Sequence, residues 1–354
     1  MFFIEKKGKR EMKIGVLTSG GDCPGLNAVI RAITRKGADL EYEVVGILNG
    51  WKGLFDESYM SLNSKTVAGI VNRGGTILGT SRFSPFEQKG GAETLQNRIN
   101  RANFDAVITI GGEGSMHIAQ LAHNLGIKVI GVPKTIDNDI SGTDYTFGFD
   151  TAVQIATDAI DRLHTTAESH HRIMVLEVMG RHTGWIALYS GMAGGADVIV
   201  IPEMRVTIDN IIEVLKNRYK RGKLFSIIVV AEGAEFLMDE LKVNEEDKKY
   251  DEFGRARLGG ISHYLSNEIE KRTGYETRTT ILGHVQRGGV PTAFDRMLGT
   301  RLGIYSVEMV EQKKFGRMCA LQGNSITDIP IADAIKVLKT VDLDIYKAAQ
   351  VFFK

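Results

Sequence analysis

Short apolar runs rich in β-branched residues recur along the chain, separated by longer segments with the spacing of amphipathic helices. Eight of these runs have the length of buried strands and predict β-strands at 13–17, 43–48, 106–110, 128–132, 173–178, 197–201, 226–230 and 278–282. Strands that alternate with helices in this way form mostly parallel sheets with both faces covered. The pattern therefore predicts an α/β protein built from Rossmann-like three-layer α/β/α domains.

The number of domains follows from length. The chain has 354 residues, which exceeds one average domain and falls short of three. We therefore expect two domains with a cleft between them and a boundary near residues 149–150. The most polar stretch, 239–252, is expected to form an exposed loop or a frayed helix.

Glycines concentrate directly after the predicted strands, at 20–21, 74–75, 111–114 and 288–289. In open α/β sheets ligands bind at the carboxyl ends of the strands. Glycine permits positive φ there and lets backbone amides approach an anion closely. The chain contains no GxxxxGK[ST] segment, so an ordinary P-loop is excluded as the source of phosphate binding.

Composition narrows the possible partners and location. The formal net charge is +1, so a phosphate site must come from local groups, and nucleic acid is not expected as a main partner. Cys23 and Cys319 show no zinc or disulfide spacing and fit a reducing compartment. The first twelve residues lack the apolar core of a signal peptide, and no apolar run approaches membrane-spanning length. We expect a cytoplasmic protein that does not span a membrane.

The loop Gly-Gly-Glu-Gly-Ser at 111–115 follows a predicted strand and precedes a helix expected from about Ser115 to Leu125. Several amide donors and the positive helix end then meet at one point, where polyphosphate binds well. Glu113 inside this loop is explained if a divalent cation lies between its carboxylate and the phosphates. The alternative is a tight strand-to-helix turn with a solvent-exposed glutamate.

The densest polar cluster, Pro-Lys-Thr-Ile-Asp-Asn-Asp at 133–139, comes just after the strand expected at 128–132. One of its two carboxylates can accept the proton of an attacking hydroxyl, while the other holds Mg²⁺ together with Glu113, directly or through water. The alternative is a turn that caps the next helix, which Asp and Asn commonly form.

Single arginines stand near other strand ends, at positions 82, 172, 181, 278 and 287. Guanidinium groups in such places suit bidentate capture of phosphate. For any one of them, a surface salt bridge is the alternative. His284 is expected to donate to phosphate, whereas His170, His171 and His182 lack the spacing of transition-metal ligands.

At this point the chain resembles the phosphofructokinase family, from about Met12 to at least Gly303. The resemblance rests on GVLTSGGDCPGLNAVIR at 15–31, GGTILGTSRF at 74–83, GGEGS at 111–115, PKTIDND at 133–139, VMGRHTG at 178–184 and LGHVQRGG at 282–289. It implies a larger nucleotide-binding domain of 1–149 plus about 287–336, and a smaller sugar-phosphate-binding domain of 150–286 plus about 337–354. It also implies transfer of the γ-phosphoryl group of ATP to the 1-hydroxyl of fructose 6-phosphate, with Mg²⁺.

The resemblance assigns roles residue by residue. It implies a nucleotide site at Gly20, Arg82, Phe83, Gly112, Glu113, Gly114 and Ser115, and metal ligands at Glu113 and Asp139. The implied sugar-phosphate site comprises Thr135, Asp137, Arg172, Met179, Gly180, Arg181, Glu232, Arg278, His284, Val285, Gln286 and Arg287. Catalysis is assigned to Asp137 as proton acceptor, with Thr135 and Arg172. Arg172 and Arg278 match arginines that reach the substrate of a neighbouring subunit, which implies a homodimer or homotetramer with shared active sites.

Two positions give opposite indications about the phosphoryl donor. Pyrophosphate-using relatives carry Asp where this chain has Gly114, and an acidic side chain there would obstruct the α-phosphate of ATP. Lys134, however, is typical of pyrophosphate users, although some ATP-using relatives also carry it. We expect ATP, because Gly114 leaves room for the nucleotide. The alternative is a pyrophosphate-dependent fructose 6-phosphate 1-phosphotransferase.

Other classes of protein fit the sequence less well. Kinases of dinucleotides or lipids share a related glycine loop, but LGHVQRGG and VMGRHTG are not expected in them. A nicotinamide-linked dehydrogenase lacks support because no GxGxxG follows the first strand. A non-catalytic sugar-phosphate sensor with this fold is the remaining alternative. The presence of the full set Glu113, Asp137, Asp139 and Arg172 speaks against it, because a protein that only binds has no need of a base.

Overall fold

The computed structural model describes residues 12–236 and 259–353, so the polar stretch 239–252 lies outside the described residues. Contacts divide the described chain into two compact units. The first comprises residues 12–135, 140–148 and 287–338, and the second comprises 136–139, 149–236, 259–286 and 339–353. Residues 136–139 therefore group with the second unit, whereas the sequence interpretation had them in the first.

Strands and helices alternate along both units. The strands are β1 (Lys13–Ser19), β2 (Glu43–Ile47), β3 (Tyr59–Leu62), β4 (Ala106–Gly111), β5 (Val129–Thr135), β6 (Phe147–Gly148), β7 (Ile173–Val178), β8 (Val198–Val200), β9 (Ser226–Ala231), β10 (Thr277–Ile281), β11 (Arg317–Gln322) and β12 (Ser325–Pro330). The helices are α1 (Leu26–Asp39), α2 (Trp51–Phe55), α3 (Gly91–Arg101), α4 (Glu113–Asn124), α5 (Phe149–His170), α6 (Trp185–Ala193), α7 (Ile208–Lys220), α8 (Ile261–Thr273), α9 (Ala293–Glu311), α10 (Ile331–Ala334) and α11 (Leu343–Gln350).

The sheet of the first unit has the order β12-β11-β5-β4-β1-β2-β3, and β6 pairs with β5. Neighbouring strands are parallel except at the two edges, where β3 and β12 run antiparallel. From β1 the chain continues to β2 on one side, while β4 lies on the other side. The strand order therefore reverses between β1 and β4, which is where open α/β sheets bind ligands.

Helices cover both faces of this sheet. The strands β1, β4 and β5 are almost entirely buried, because helices cover the side chains on both faces. Leu17, Val107 and Val129 face a core that α2, α3, α4 and α10 complete. Helices α1 and α9 pack against each other and against strands of the same sheet. The result is the three-layer arrangement that the alternating pattern predicts.

The second unit is built on a parallel sheet with the order β10-β7-β9-β8. Val175, Val200 and Val230 pack against the apolar faces of α7 and α8. Helices α5 and α6 contact β7, β8 and β9 as well as each other. This second three-layer unit confirms the fold class predicted from the sequence.

All eight apolar runs singled out in the sequence fall on strands, seven of them with shifted ends and 173–178 with the predicted ends. The largest correction concerns β5, which continues to Thr135, so that Pro133 and Lys134 lie inside the strand. Proline is tolerated there because β11 pairs with β5 only at Ile130 and Gly131, which leaves the later part of β5 without that partner. Helix α4 also begins at Glu113, two residues before the expected start.

Among residues 12–236 and 259–353, no helix combines the length and the apolar character needed to cross a membrane.

Candidate active site

Three loops of the first unit meet at the carboxyl edge of its sheet. The register pairs Ser19 with Gly111 and Gly111 with Pro133, so the ends of β1, β4 and β5 lie side by side. Gly20 follows β1 and Gly112 follows β4. The glycine loops singled out in the sequence are therefore neighbours at the point where the strand order reverses.

The loop after β1 is tied to the segment that carries Arg82 and Phe83. Gly20 has φ 82 and donates its N–H to Ser81 O over 3.0 Å, while Thr80 Oγ1 donates to Gly20 O over 2.6 Å. Phe83 packs edge-to-face on Phe55, with ring centroids 5.0 Å apart, and Arg82 is exposed. The two predicted nucleotide-site segments, at Gly20 and at Arg82–Phe83, are thus held next to each other.

Helix α4 starts at the end of β4 with Gly112 as its N-cap. Glu113 and Gly114 are exposed in its first turn, whereas Ser115 is buried. A side-chain carbon on Gly111 would lie 2.2 Å from Ser115 Cβ, so only glycine allows the helix to begin so close to the strand. The backbone N–H groups of this first turn have no partner within the helix and form its positive end.

Lys134 lies beside the three loops that meet at this end of the sheet, which are called the cradle below. Its side chain is 3% exposed, and Nζ donates a hydrogen bond to Gly21 O. Arg287 Nη1 donates to Asp22 O over 3.4 Å. The sequence interpretation grouped Arg287 with the sugar-phosphate residues, yet the structure places it against the loop after β1. Two cations therefore stand beside the same loop.

The carboxyl edge of the second sheet gathers the predicted sugar-phosphate residues that follow β7, β9 and β10. Arg181 has φ 52 and donates its backbone N–H to Glu232 Oε1 over 3.1 Å. Gln286 is fully buried, and its Oε1 accepts from Met179 N over 3.3 Å. Val285 is 66% exposed. The structure brings these three loops together, with Gln286 acting as a tie between two of them.

Arg172 and Arg278 lie at the opposite side of that sheet, where its strands begin. Arg172 precedes β7 and Arg278 pairs with Met174 near its start. Both arginines bind the carboxylate of Glu276, over 2.8 Å for Arg172, and the Arg172 hydrogen bond holds the pKa of Glu276 below its usual range. Strand β7 has 6 residues. It therefore separates these arginines from Met179 by about 20 Å.

Asp137 belongs to a short loop, Ile136–Asp139, of the second unit. Its side chain is 4% exposed, and the next residue, Asn138, has φ 51. Thr183 Oγ1 donates to Asp137 O over 3.2 Å, and the N–H of Lys339 donates to Asp139 O over 3.0 Å. The sequence interpretation missed both contacts. Thr183 at least stood in the motif 178–184, but Lys339 gave no signal.

The two cysteines are poorly placed to act as nucleophiles. Both Cys23 and Cys319 are buried, and burial raises the pKa of each thiol well above its ordinary value. The thiolate is the nucleophilic form of cysteine. Burial therefore disfavours a covalent intermediate on either cysteine.

No group of three or more His, Cys, Asp or Glu side chains among the described residues could hold a metal ion. Mg²⁺ is commonly bound by one or two carboxylates together with substrate phosphates, and such an ion needs no dedicated group of protein ligands. Glu113 is exposed at the first turn of α4, where it can face a ligand. The donor chemistry fits, and the assignment to Glu113 and Asp139 stays a prediction.

Comparison with known proteins identifies the family to which this chain is similar. A family model described as Phosphofructokinase matches residues 13–310. The pyrophosphate–fructose 6-phosphate 1-phosphotransferase of Streptomyces coelicolor is 52% identical over 344 residues, covering 97% of this chain and 100% of that protein. The ATP-dependent 6-phosphofructokinase 3 of the same organism is 52% identical over 331 residues, covering 93% of this chain and 96% of that protein.

A solved structure agrees with these relatives. Phosphofructokinase from Saccharomyces cerevisiae matches with a TM-score of 0.81 at 30% identity, covering 97% of this chain and 47% of that one. Relatives named for ATP and for pyrophosphate are equally similar to this chain, so overall similarity does not choose the donor.

Proposed function

Since the chain belongs to the phosphofructokinase family, we propose that it transfers the γ-phosphoryl group of ATP to the 1-hydroxyl of fructose 6-phosphate. The observation that carries this proposal is the cradle at the end of β1, β4 and β5, which joins the positive end of α4 to Lys134. Phosphoryl transfer requires positioning and charge neutralisation far more than covalent chemistry. A site with these features suits a polyphosphate donor. We propose that it works in the cytoplasm.

Asp137 is the proposed catalytic base. It accepts the proton of the 1-hydroxyl as that oxygen attacks the γ-phosphorus, and the bond from phosphorus to the β–γ bridging oxygen breaks. Burial of the side chain supports this role, because a buried carboxylate interacts more strongly with a nearby proton donor than an exposed one. Thr135 at the end of β5 stands two residues before it and is proposed to orient the acceptor sugar.

The sugar phosphate is assigned to the carboxyl edge of the second sheet. Arg181 and His284 supply donors, and Glu232 fixes the loop of Arg181 through its backbone N–H. Arg172 and Arg278 stand at the opposite edge, about 20 Å along β7. That separation supports the proposal that they serve the site of a neighbouring subunit, and that the active unit is a homodimer or homotetramer.

ATP is the proposed donor because of Gly114. This residue is exposed in the first turn of α4, directly after Glu113. A carboxylate at position 114 would repel a nucleotide α-phosphate and occupy its space. Glycine offers only a backbone N–H there, which favours an anion.

Pyrophosphate is the second candidate, and the buried Lys134 is the observation that favours it. Its ammonium group is held by Gly21 O beside the cradle, where it would stabilise pyrophosphate as a small, highly charged donor and the phosphate that it releases. A pyrophosphate-named relative is as similar to this chain as an ATP-named one.

Mg²⁺ is the proposed cofactor, and Glu113 and Asp139 are the residues that would hold it. When bound, the ion offsets the charge of the donor phosphates. The carboxylate of Glu113 would otherwise repel those phosphates from the helix end, which is the physical reason to place a cation there.

One assay tests both the base and the donor. Wild type and Asp137→Asn are each given fructose 6-phosphate with MgATP, and separately with magnesium pyrophosphate. We expect the wild type to prefer ATP in kcat/KM. Asp137→Asn should lose about 10³-fold in kcat with either donor, because general base catalysis contributes about 10²- to 10⁴-fold. The KM for fructose 6-phosphate should stay within about threefold, since the amide keeps the shape of the side chain.

Asp161→Asn is the matched control, because Asp161 is an exposed aspartate of α5 and its loss should leave kcat unchanged. Near-normal turnover by Asp137→Asn would remove the proposed base. A wild-type preference for pyrophosphate would show that Lys134, and not Gly114, decides the donor.

A further inference from the structure

The loop Ile136–Asp139 turns sharply and is held from outside. Asn138 has φ 51, so the backbone reverses between Asp137 and Asp139 in the left-handed region. Hydrogen bonds hold the carbonyl groups on either side of this reversal, Asp137 O by Thr183 Oγ1 and Asp139 O by the N–H of Lys339. These two contacts therefore help to set the direction in which the Asp137 side chain leaves the backbone.

Thr183 joins this loop to the loop after β7. Its hydroxyl lies 3.2 Å from Asp137 O and 3.2 Å from Gly180 O, and its backbone N–H donates to Gly180 O over 3.0 Å. The residue is 0% exposed. A hydroxyl carries a single proton, so Thr183 shares it between two carbonyl groups of predicted site loops.

The turn that carries Thr183 is itself firmly anchored. The N–H of Gly184 lies 3.0 Å from both carboxylate oxygens of Glu203, and Oε1 of Glu203 also accepts from Val341 N over 3.0 Å. Trp185 Nε1 donates to Lys339 O over 3.0 Å. The same short segment, Lys339–Val341, thus contacts both the Asp137 loop and the turn that follows Thr183. A hydroxyl mounted on so fixed a turn can hold its acceptor in place.

We propose that Thr183 is a positioning residue, whose hydroxyl sets the orientation of the Asp137 carboxylate by holding the Asp137 carbonyl group. This inference rests on the proposed function, in which Asp137 is the base. Without the hydroxyl, a buried carbonyl group loses a partner, and the peptide rotates to find another. A shift of about 1 Å in a reacting group costs about 10²-fold in rate.

The test compares Thr183→Ser with Thr183→Ala, which both lack the methyl group and differ only in the hydroxyl. We expect Thr183→Ala to lower kcat by about 10- to 100-fold while the KM for fructose 6-phosphate changes less than about threefold. Thr183→Ser should retain kcat within about threefold of wild type. Thr183→Val, which keeps the shape without the hydroxyl, should behave like Thr183→Ala.

A second measurement asks whether the effect passes through Asp137. In an Asp137→Asn background, Thr183→Ala should change kcat by less than about twofold, because there is no carboxylate left to orient. Thr34→Val is the matched control for loss of a buried hydroxyl. Thr34 is 1% exposed and donates to Ile30 O within α1, so its loss should lower the midpoint of thermal unfolding without lowering kcat.

The outcomes separate this inference from the function on which it rests. If wild type transfers phosphoryl to fructose 6-phosphate but Thr183→Ala and Thr183→Ser turn over equally fast, the inference is overturned and the proposed function stands. An equal loss of kcat in the native and Asp137→Asn backgrounds would also overturn it, since Thr183 would then act elsewhere. Wild type without any phosphoryl transfer to fructose 6-phosphate would remove the proposed function itself.

Discussion

The loop after β1 is held by two cations from distant parts of the chain. Lys134 comes from the end of β5 and donates to Gly21 O, while Arg287 follows β10 and donates to Asp22 O. Each carbonyl group that accepts such a bond is directed toward a cation, and on the proposed function the N–H groups of the loop are left to face the phosphates of the donor. The two side chains therefore shape the loop and also supply positive charge beside it.

Lys134→Met tests this double role, because methionine has a similar length and no charge. We expect the KM for the phosphoryl donor to rise by about tenfold, since a charged hydrogen bond is worth about 1.5–3 kcal/mol. The KM for fructose 6-phosphate should change by less than about twofold. Steady-state kinetics with each substrate varied in turn measures both values.

Lys128→Met is the control at the same strand, because Lys128 is exposed directly before β5 and its ammonium group lies 5.8 Å from the Phe315 ring. Its donor KM should match that of wild type. A rise in the KM for fructose 6-phosphate alone in Lys134→Met would contradict the place given to Lys134 in the donor cradle.

Individual contacts divide into those that the sequence can predict and those that it cannot. The glycines at 20–21 and 111–114 allow the cradle to be predicted from the sequence. Close approach of the backbone and positive φ both favour glycine over other residues, so they are visible as glycines in the sequence. The bond from Thr183 to Asp137 joins residues 46 positions apart, and threonine serves equally well in a core or at a turn. No local pattern encodes such a contact, so it needed the folded chain.

Among the elements, the loops after β7 and β9 interlock through their backbones. The N–H of Glu232 donates to Val178 O over 2.8 Å, and its carboxylate accepts from Arg181 N. A side-chain carbon on Gly233 would lie only 1.7 Å from Arg181 O. Gly233 therefore allows the Arg181 loop to sit against the end of β9.

Gly233→Ala should force one of these loops to move. We expect a loss of about 1–3 kcal/mol in the free energy of unfolding, which is typical of overpacking. The KM for fructose 6-phosphate should rise by about tenfold as Arg181 is displaced. Urea unfolding and steady-state kinetics on the same preparation measure the two effects.

Gly274→Ala separates backbone strain from the clash. Gly274 has φ 74 at the end of α8, and nothing lies within 4 Å of the added carbon. Alanine there should cost about 1 kcal/mol in stability and leave the KM unchanged. If Gly233→Ala and Gly274→Ala raised the KM for fructose 6-phosphate equally, the cause would be general destabilisation. That outcome would contradict a specific effect of the contact between the two loops.

Eight strands were readable from the sequence, including the edge strands β8 and β10 of the second sheet, whereas β3, β6, β11 and β12 of the first sheet were not. Buried parallel strands such as β7 and β9 appear as unbroken apolar runs, because helices cover both faces. The antiparallel edge strand β12 is only partly buried along its length and carries Ser, Thr and Asp. Its pattern lacks the apolar run that marks the other strands, so the sequence did not reveal it.

At the scale of the whole molecule, the second sheet carries predicted site residues at both ends of its strands. Met179 and Glu232 follow strands, while Arg172 and Arg278 stand at strand beginnings. A strand of this length spans about 20 Å, which is farther than an arginine side chain reaches. A closed assembly of identical subunits can bring the two edges of different copies together.

Hybrid enzymes test that arrangement. Asp137→Asn and Arg172→Ala, carried on separately tagged chains, should each be nearly inactive alone. When they are co-expressed, each mixed pair contains one site with both native residues, so we expect about a quarter of wild-type activity from random pairing. Purification through both tags should enrich the active hybrids.

Thr135→Val co-expressed with Asp137→Asn provides the control, because Thr135 and Asp137 come from the same stretch of one chain. No mixed pair then contains a fully native site, and activity per enzyme should remain at the mean of the two variants. Equal activity in both mixtures would contradict sharing of Arg172 between subunits.

The strand order of the first sheet also has a consequence for biosynthesis. Strand β5 has β4 on one side, but its neighbour on the other side, β11, is made only near the end of the chain. While the ribosome extends the intervening segment, that flank of the nascent sheet offers unpaired peptide groups to any extended polypeptide nearby. Chaperone capture during translation should therefore favour chains that end before residue 317.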